Sequence, residues 1–113
     1  MSTISRDDFE SLYRPLDERV IQLLLSVVPE GWWSIRLVVR NDPQQFGNDG
    51  IALTISSDEG YREIVMPPDE LYEVLFEHLG LFQKQGEPWS SLSYLAAYDE
   101  EQDQWRFSVD YAY

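Results

Sequence analysis

Twenty-one carboxylates and a single imidazole are most of what this 113-residue sequence offers for chemistry. Paired acids can serve as general acid and base, but only when held at a defined geometry with separated pKa values. Among so many acids, pairs arise by chance, and no local pattern marks one. His78 is the only histidine. It sits near the apolar face of a predicted helix and reads as a partly buried packing residue rather than a ligand. With no cysteine and no second histidine, a transition-metal site lacks its ligands. The stretch NDPQQFGNDG resembles a cation loop only in composition, without the alternating ligands and closing Glu of an EF-hand. Neither a glycine-rich phosphate loop nor a G-x-S-x-G turn occurs, and no serine is paired with a base by sequence. The expectation is a protein that is not an enzyme, with no catalytic residues, no metal and no cofactor.

The acids are distributed unevenly. Asp99, Glu100, Glu101 and Asp103 crowd one predicted turn, and Glu70, Glu73 and Glu77 form a narrow stripe along a predicted helix. Like charges at i,i+3 and i,i+4 each cost only a few tenths of a kcal/mol, so the stripe is compatible with a solvated face. In the turn, charge discourages sheet-to-sheet aggregation, which accounts for one or two acids but not four. Both clusters are candidate surfaces for a basic partner. Trp32 and Trp33 are adjacent, so only one can face the core from a strand. Trp33 fits the inward alternation. Trp32 is then the exposed aromatic, either a contact residue of the kind enriched at interfaces or a cap on the preceding helix.

The elements that position these groups are legible from periodicity. At about 100° per residue, Phe9, Tyr13, Leu16, Val20, Leu23, Leu24 and Val27 share one helical face, widened by Ile21, Leu25 and Val28. Ser5 and Asp8 fit a capping box at its start. Pro15 either kinks this helix or begins a second one. Pro29, Glu30 and Gly31 end it. Trp33, Ile35, Leu37 and Val39 alternate with Ser34, Arg36, Val38 and Arg40 as a half-buried strand. Residues 51–56 make a second strand. SSDEGY is a tight turn with Gly60 suited to positive φ. Tyr61 to Val65 reads as a short third strand. A second helix starts at Met66-Pro67-Pro68-Asp69, buries Leu71, Leu75, Leu79 and Phe82, and ends near Gln85 and Gly86. Strands follow near Ser91–Tyr98 and Gln104–Ala112, the last turning Trp105, Phe107, Val109 and Tyr111 toward the core. The order α-β-β-β-α-β-β predicts one α+β domain over residues 1–113. Its two layers are an antiparallel five-stranded sheet and two helices covering one face. Arg36, Arg40 and Arg106 fall on the open face with Asp110 among them. Val38, Leu95 and Ala97 lie there too and would suit a dimer surface, leaving monomer and homodimer both open.

Bulk properties narrow the class. A hydrophobic fraction of 43% with 14% aromatics argues for a folded core. Absent cysteines suit the cytoplasm. No apolar stretch reaches the ~18 residues of a membrane span, and MSTISRDDF lacks signal-peptide character. A formal charge of -13 repels nucleic acid and anionic membrane and favours cationic partners. Aromatic and Arg residues on an open sheet are used for single-strand binding elsewhere, but the field has the wrong sign and the aromatics read as core.

PEGWWSIRLVV, EPWSSLSYLAAY and WRFSVDYAY, together with the helices that precede the first two, resemble the YezG-like family of antitoxin or immunity proteins over roughly Tyr13 to Tyr113. The turn DEEQDQ and Pro15 depart from that pattern. The resemblance implies a small bacterial α+β protein that binds and neutralises a cognate toxin, often a nuclease, and it carries over no contact residues. The alternatives are a general interaction or adaptor module without a toxin partner, and an enzyme of unrecognised type.

Overall fold

The computed structural model describes residues 6–41, 50–62 and 64–113, with the backbone alone at residues 6 and 7. Its elements are α1 (Arg6–Ser26), β1 (Ser34–Asn41), β2 (Ile51–Ser56), α2 (Asp69–Lys84), β3 (Ser91–Asp99) and β4 (Gln104–Ala112). All strand pairs are antiparallel, in the order β2-β1-β3-β4. Among the described residues, four strands stand where five are expected. Tyr61, Arg62, Ile64 and Val65 form no strand, and the chain runs irregularly into Pro67 and Pro68. Tyr61 stacks on Trp32 at 5.6 Å, while Ile64 and Met66 stand exposed. Pro67 and Pro68 cannot donate to a ladder, which bars the chain from continuing as a strand toward α2. The Ser5 cap, residues 42–49 of the turn-rich loop and Glu63 lie outside the described residues.

The apolar periodicities become the core. Phe9, Val20, Ile21, Leu23 and Leu24 of α1 meet Leu71, Leu75, Leu79 and Phe82 of α2 over Ile35, Leu37, Val39, Leu92, Tyr94 and Ala96. Pro15 lies inside a continuous α1. The sheet's central strands are well covered, whereas edge strand β4 is not. Phe107, expected inside, is 55% exposed. No helix among the described residues is long and apolar enough to cross a membrane.

One polar residue interrupts the stripe of α1. Asp17, four residues after Tyr13 and three before Val20, accepts hydrogen bonds from Tyr94 Oη at 2.7 Å and Tyr111 Oη at 2.5 Å. His78 Nε2 donates to it at 2.9 Å. The Trp89 indole donates to His78 Nδ1 at 3.0 Å. An indole only donates, so Nδ1 accepts and the His78 proton sits on Nε2. Both helices, β3, β4 and the segment before β3 thus meet at one carboxylate. Removing the carboxylate would leave these donors unsatisfied, each typically worth about 1–3 kcal/mol when buried.

Burial first, then the adjacent Asp17 charge, push the Tyr94 hydroxyl far above the ordinary tyrosine value; burial and the Asp17 bond do the same to Tyr111. The folded state therefore keeps protons that the unfolded chain releases above pH ~10. The resulting stabilisation is fully present below that pH and is lost as pH rises beyond it. Urea unfolding should show stability falling as pH rises through ~10, the slope from Tyr94 approaching about 1.4 kcal/mol per pH unit only well above pH ~10, with a smaller share from half-buried Tyr111. Tyr94→Phe should flatten the slope, and an unaltered slope would contradict the assignment.

Candidate functional site

The β3–β4 hairpin closes through a four-residue loop, Glu100 to Asp103, with Asp99 facing Gln104 across it. Two of its acids have folding roles. Asp99 Oδ1 accepts the Glu101 N–H at 3.0 Å and the Gln102 N–H at 3.4 Å, and its Oδ2 pairs with Arg106 Nε at 2.8 Å. Asp103 takes the left-handed conformation at φ 52° and accepts a hydrogen bond from Tyr98 Oη. A turn without Gly or Asn is workable because Asp tolerates this region better than most residues. Glu100 and Glu101 are exposed, and their side chains make no hydrogen bond or ion pair among the described residues.

Behind the hairpin lies an aromatic row. Tyr98 faces Trp105, and the Tyr98 N–H donates to the Trp33 carbonyl at 2.9 Å. The ring centroids are 5.4 Å apart for Trp33–Tyr98 and 5.8 Å for Tyr98–Trp105. By the two-residue period these rings share the side of Ile35, Tyr94 and Ala96. They continue the covered face to the end of the sheet nearest the hairpin, where Trp33 stands 50% exposed. With Gly31 and Trp32 they line an open hollow of about 250 Å³.

Trp32 and Trp33 exchange their expected burial. Trp32 is only 4% exposed, so it is not the free aromatic surface anticipated for it. Gly31, at φ 90°, closes the turn in which the Trp32 N–H meets the Pro29 carbonyl, and so turns the Trp32 ring inward before β1 begins. Trp33 keeps the inward phase but lies at the end of the strand. Glu59 fixes it there by accepting the Trp33 N–H at 3.0 Å and the Ser34 hydroxyl. The Trp32 indole N–H is buried with no acceptor among the described residues.

The other charges are placed differently. Glu70 pairs with Arg19 across the helices, and Glu73 and Glu77 are exposed on α2. No hydrogen bond or ion pair joins this stripe to the hairpin among the described residues. On the open sheet face Arg36 grips Asp58 with two bonds of 3.0 and 3.1 Å and donates to Ser93 at 2.9 Å. That grip holds the Asp58 carboxyl below its usual range and raises Arg36. His78 has both ring nitrogens engaged in the core, fully buried where partial burial was expected. No group of three His, Cys, Asp or Glu residues arranged for a metal ion occurs among the described residues. A larger hollow of about 480 Å³, lined by Gly86, Glu87, Pro88 and Tyr113, gathers one carboxylate and one phenol.

Sequence reasoning located the hairpin acids but missed Trp33, Tyr98 and Trp105 as one aromatic row with Trp33 exposed at its end. The available signal was the register: Trp33 directly precedes β1, and Tyr98 and Trp105 pair at the matching end of β3 and β4. Asp17 was also missed, although a lone acid on an apolar helical stripe marks a buried polar contact. No protein-family model and no curated protein sequence matches this chain. The toxin-neutralising reading accordingly rests on the resemblance and on surface chemistry.

The division of the hairpin acids is directly measurable. Asp103→Ala should lower stability by about 1–2 kcal/mol, through the strained φ and the lost Tyr98 bond. Glu100→Gln combined with Glu101→Gln should leave the urea midpoint unchanged. Equal losses in both variants would contradict the division.

Proposed function

We propose that the protein is an immunity or antitoxin protein that binds a basic cognate toxin, by class a nuclease, and covers its cationic cleft. The observation that carries this reading is the hairpin corner. Glu100 and Glu101 project from a loop that Asp99 and Asp103 hold in place, beside an open aromatic hollow. A rigid acidic loop loses little conformational freedom on binding, and its field speeds encounter with a cation. The formal charge of -13 acts in the same direction at longer range. The one imidazole is engaged in the core, so its role is structural.

Co-expression with a toxin encoded beside it should restore growth and yield a complex on purification. Its association rate should fall as salt rises. Glu100→Gln with Glu101→Gln should slow association about three- to tenfold at low salt and weaken the salt dependence. Absence of both rescue and complex would overturn the toxin reading. Unchanged association kinetics in the double variant would remove the hairpin from the interface.

A further inference from the structure

We infer that the hollow between Trp33, Tyr98 and Trp105 is a receptor for an arginine side chain of the protein partner, held by cation–π contact and by the acids of the hairpin. The inference rests on the partner-binding reading and specifies the group that the corner takes.

The first support is geometric. Tyr98 stands between the two tryptophans, tilted 44° to one and 64° to the other, so the three rings form an angled wall rather than a parallel stack. Trp32 and Gly31 complete the hollow. Indole faces are the strongest aromatic partners for a cation, and a planar guanidinium is the cation most often found on them. The second support is electrostatic. The rim beside Tyr98 and Trp105 is the hairpin, whose Glu100 and Glu101 side chains have no partner among the described residues. Tyr98 donates its hydroxyl proton to Asp103, which adds electron density to the ring facing the hollow. An apolar ligand would gain from the rings but nothing from this rim. A guanidinium uses both, lying on a ring and forking its N–H groups toward a carboxylate. Phe107, two residues beyond Trp105 on the same side of β4 and 55% exposed, offers apolar surface for the chain that carries the arginine.

The four indole N–H signals make the test internal to one protein. N-acetyl-arginine amide is titrated into the ¹⁵N-labelled full chain, with N-acetyl-citrulline amide as the uncharged isostere. Saturable shifts are expected at Trp33, Trp105 and Trp32, while Trp89, bonded to His78 in the core, stays fixed. Citrulline amide should bind at least about tenfold more weakly, the order of effect expected for a desolvated cation–π contact. Trp33→Leu, at a half-exposed position, should abolish the Trp105 shift. Absent shifts, equal shifts with citrulline, or a Trp89 shift as large as the others would overturn the inference. Arginine binding without any toxin complex would leave the receptor standing and remove the toxin reading. A toxin complex whose affinity is unaffected by Trp33→Leu would do the reverse.

Discussion

A carboxylate placed in the apolar stripe of a helix has to find donors, and both layers of this fold are arranged around that requirement. Asp17 draws its donors from α2, β3 and β4, and Trp89 in turn orients the imidazole. One group thus joins α1, α2 and β4 at Tyr111. The same arrangement places the chain's one histidine beyond the reach of solvent, with 0% exposure. The proposed partner-facing corner then lies toward the other end of the strands. The six residue steps from Leu92 to Tyr98 span about 20 Å.

Where local pattern and tertiary demand coincide, the elements were legible in the sequence. Both helices, their inner faces and strands β1, β2, β3 and β4 follow from periodicity, and the turn through Gly60 has its φ of 82°. The errors share a physical origin in how far the cover extends. Alternation tells which side of a strand a residue faces, but not whether a helix reaches over it. Trp33 and Phe107 have the expected phase and still meet solvent, because the helices do not cover that end of β1 or the middle of β4. Trp32 shows the converse, buried from a turn to which no strand alternation applies. The fifth strand failed because alternation over a few residues does not make a ladder without a neighbouring strand to pair with. The acids of the hairpin were visible as a cluster. Their separation into Asp99 and Asp103, which build the turn, and Glu100 and Glu101, which do not, depends on backbone geometry that composition does not carry.

Electrostatics in this protein works at two ranges. Locally, Arg14, Arg19, Arg36 and Arg106 each meet a carboxylate. Exposed pairs of this kind contribute at most about 1 kcal/mol each, so their main effect is to fix side chains rather than to hold the fold. The pairing also lowers the free positive charge of the outer sheet face, where Arg36 and Arg106 lie. Globally, the excess of acid remains and raises self-repulsion, which a core of this aromatic content has to offset. The hairpin concentrates that excess beside a cluster of partly exposed rings, which makes the corner complementary to a partner that is both cationic and planar.

Hydrogen–deuterium exchange on the protein, free and in complex with its captured partner, tests the central claim most directly. Binding at the corner predicts slowed exchange in residues 31–34 and 98–106, with the amides around Asp17 and His78 unchanged. Protection confined to α2 or to the strands of the outer sheet face, with the corner exchanging as in the free protein, would contradict it.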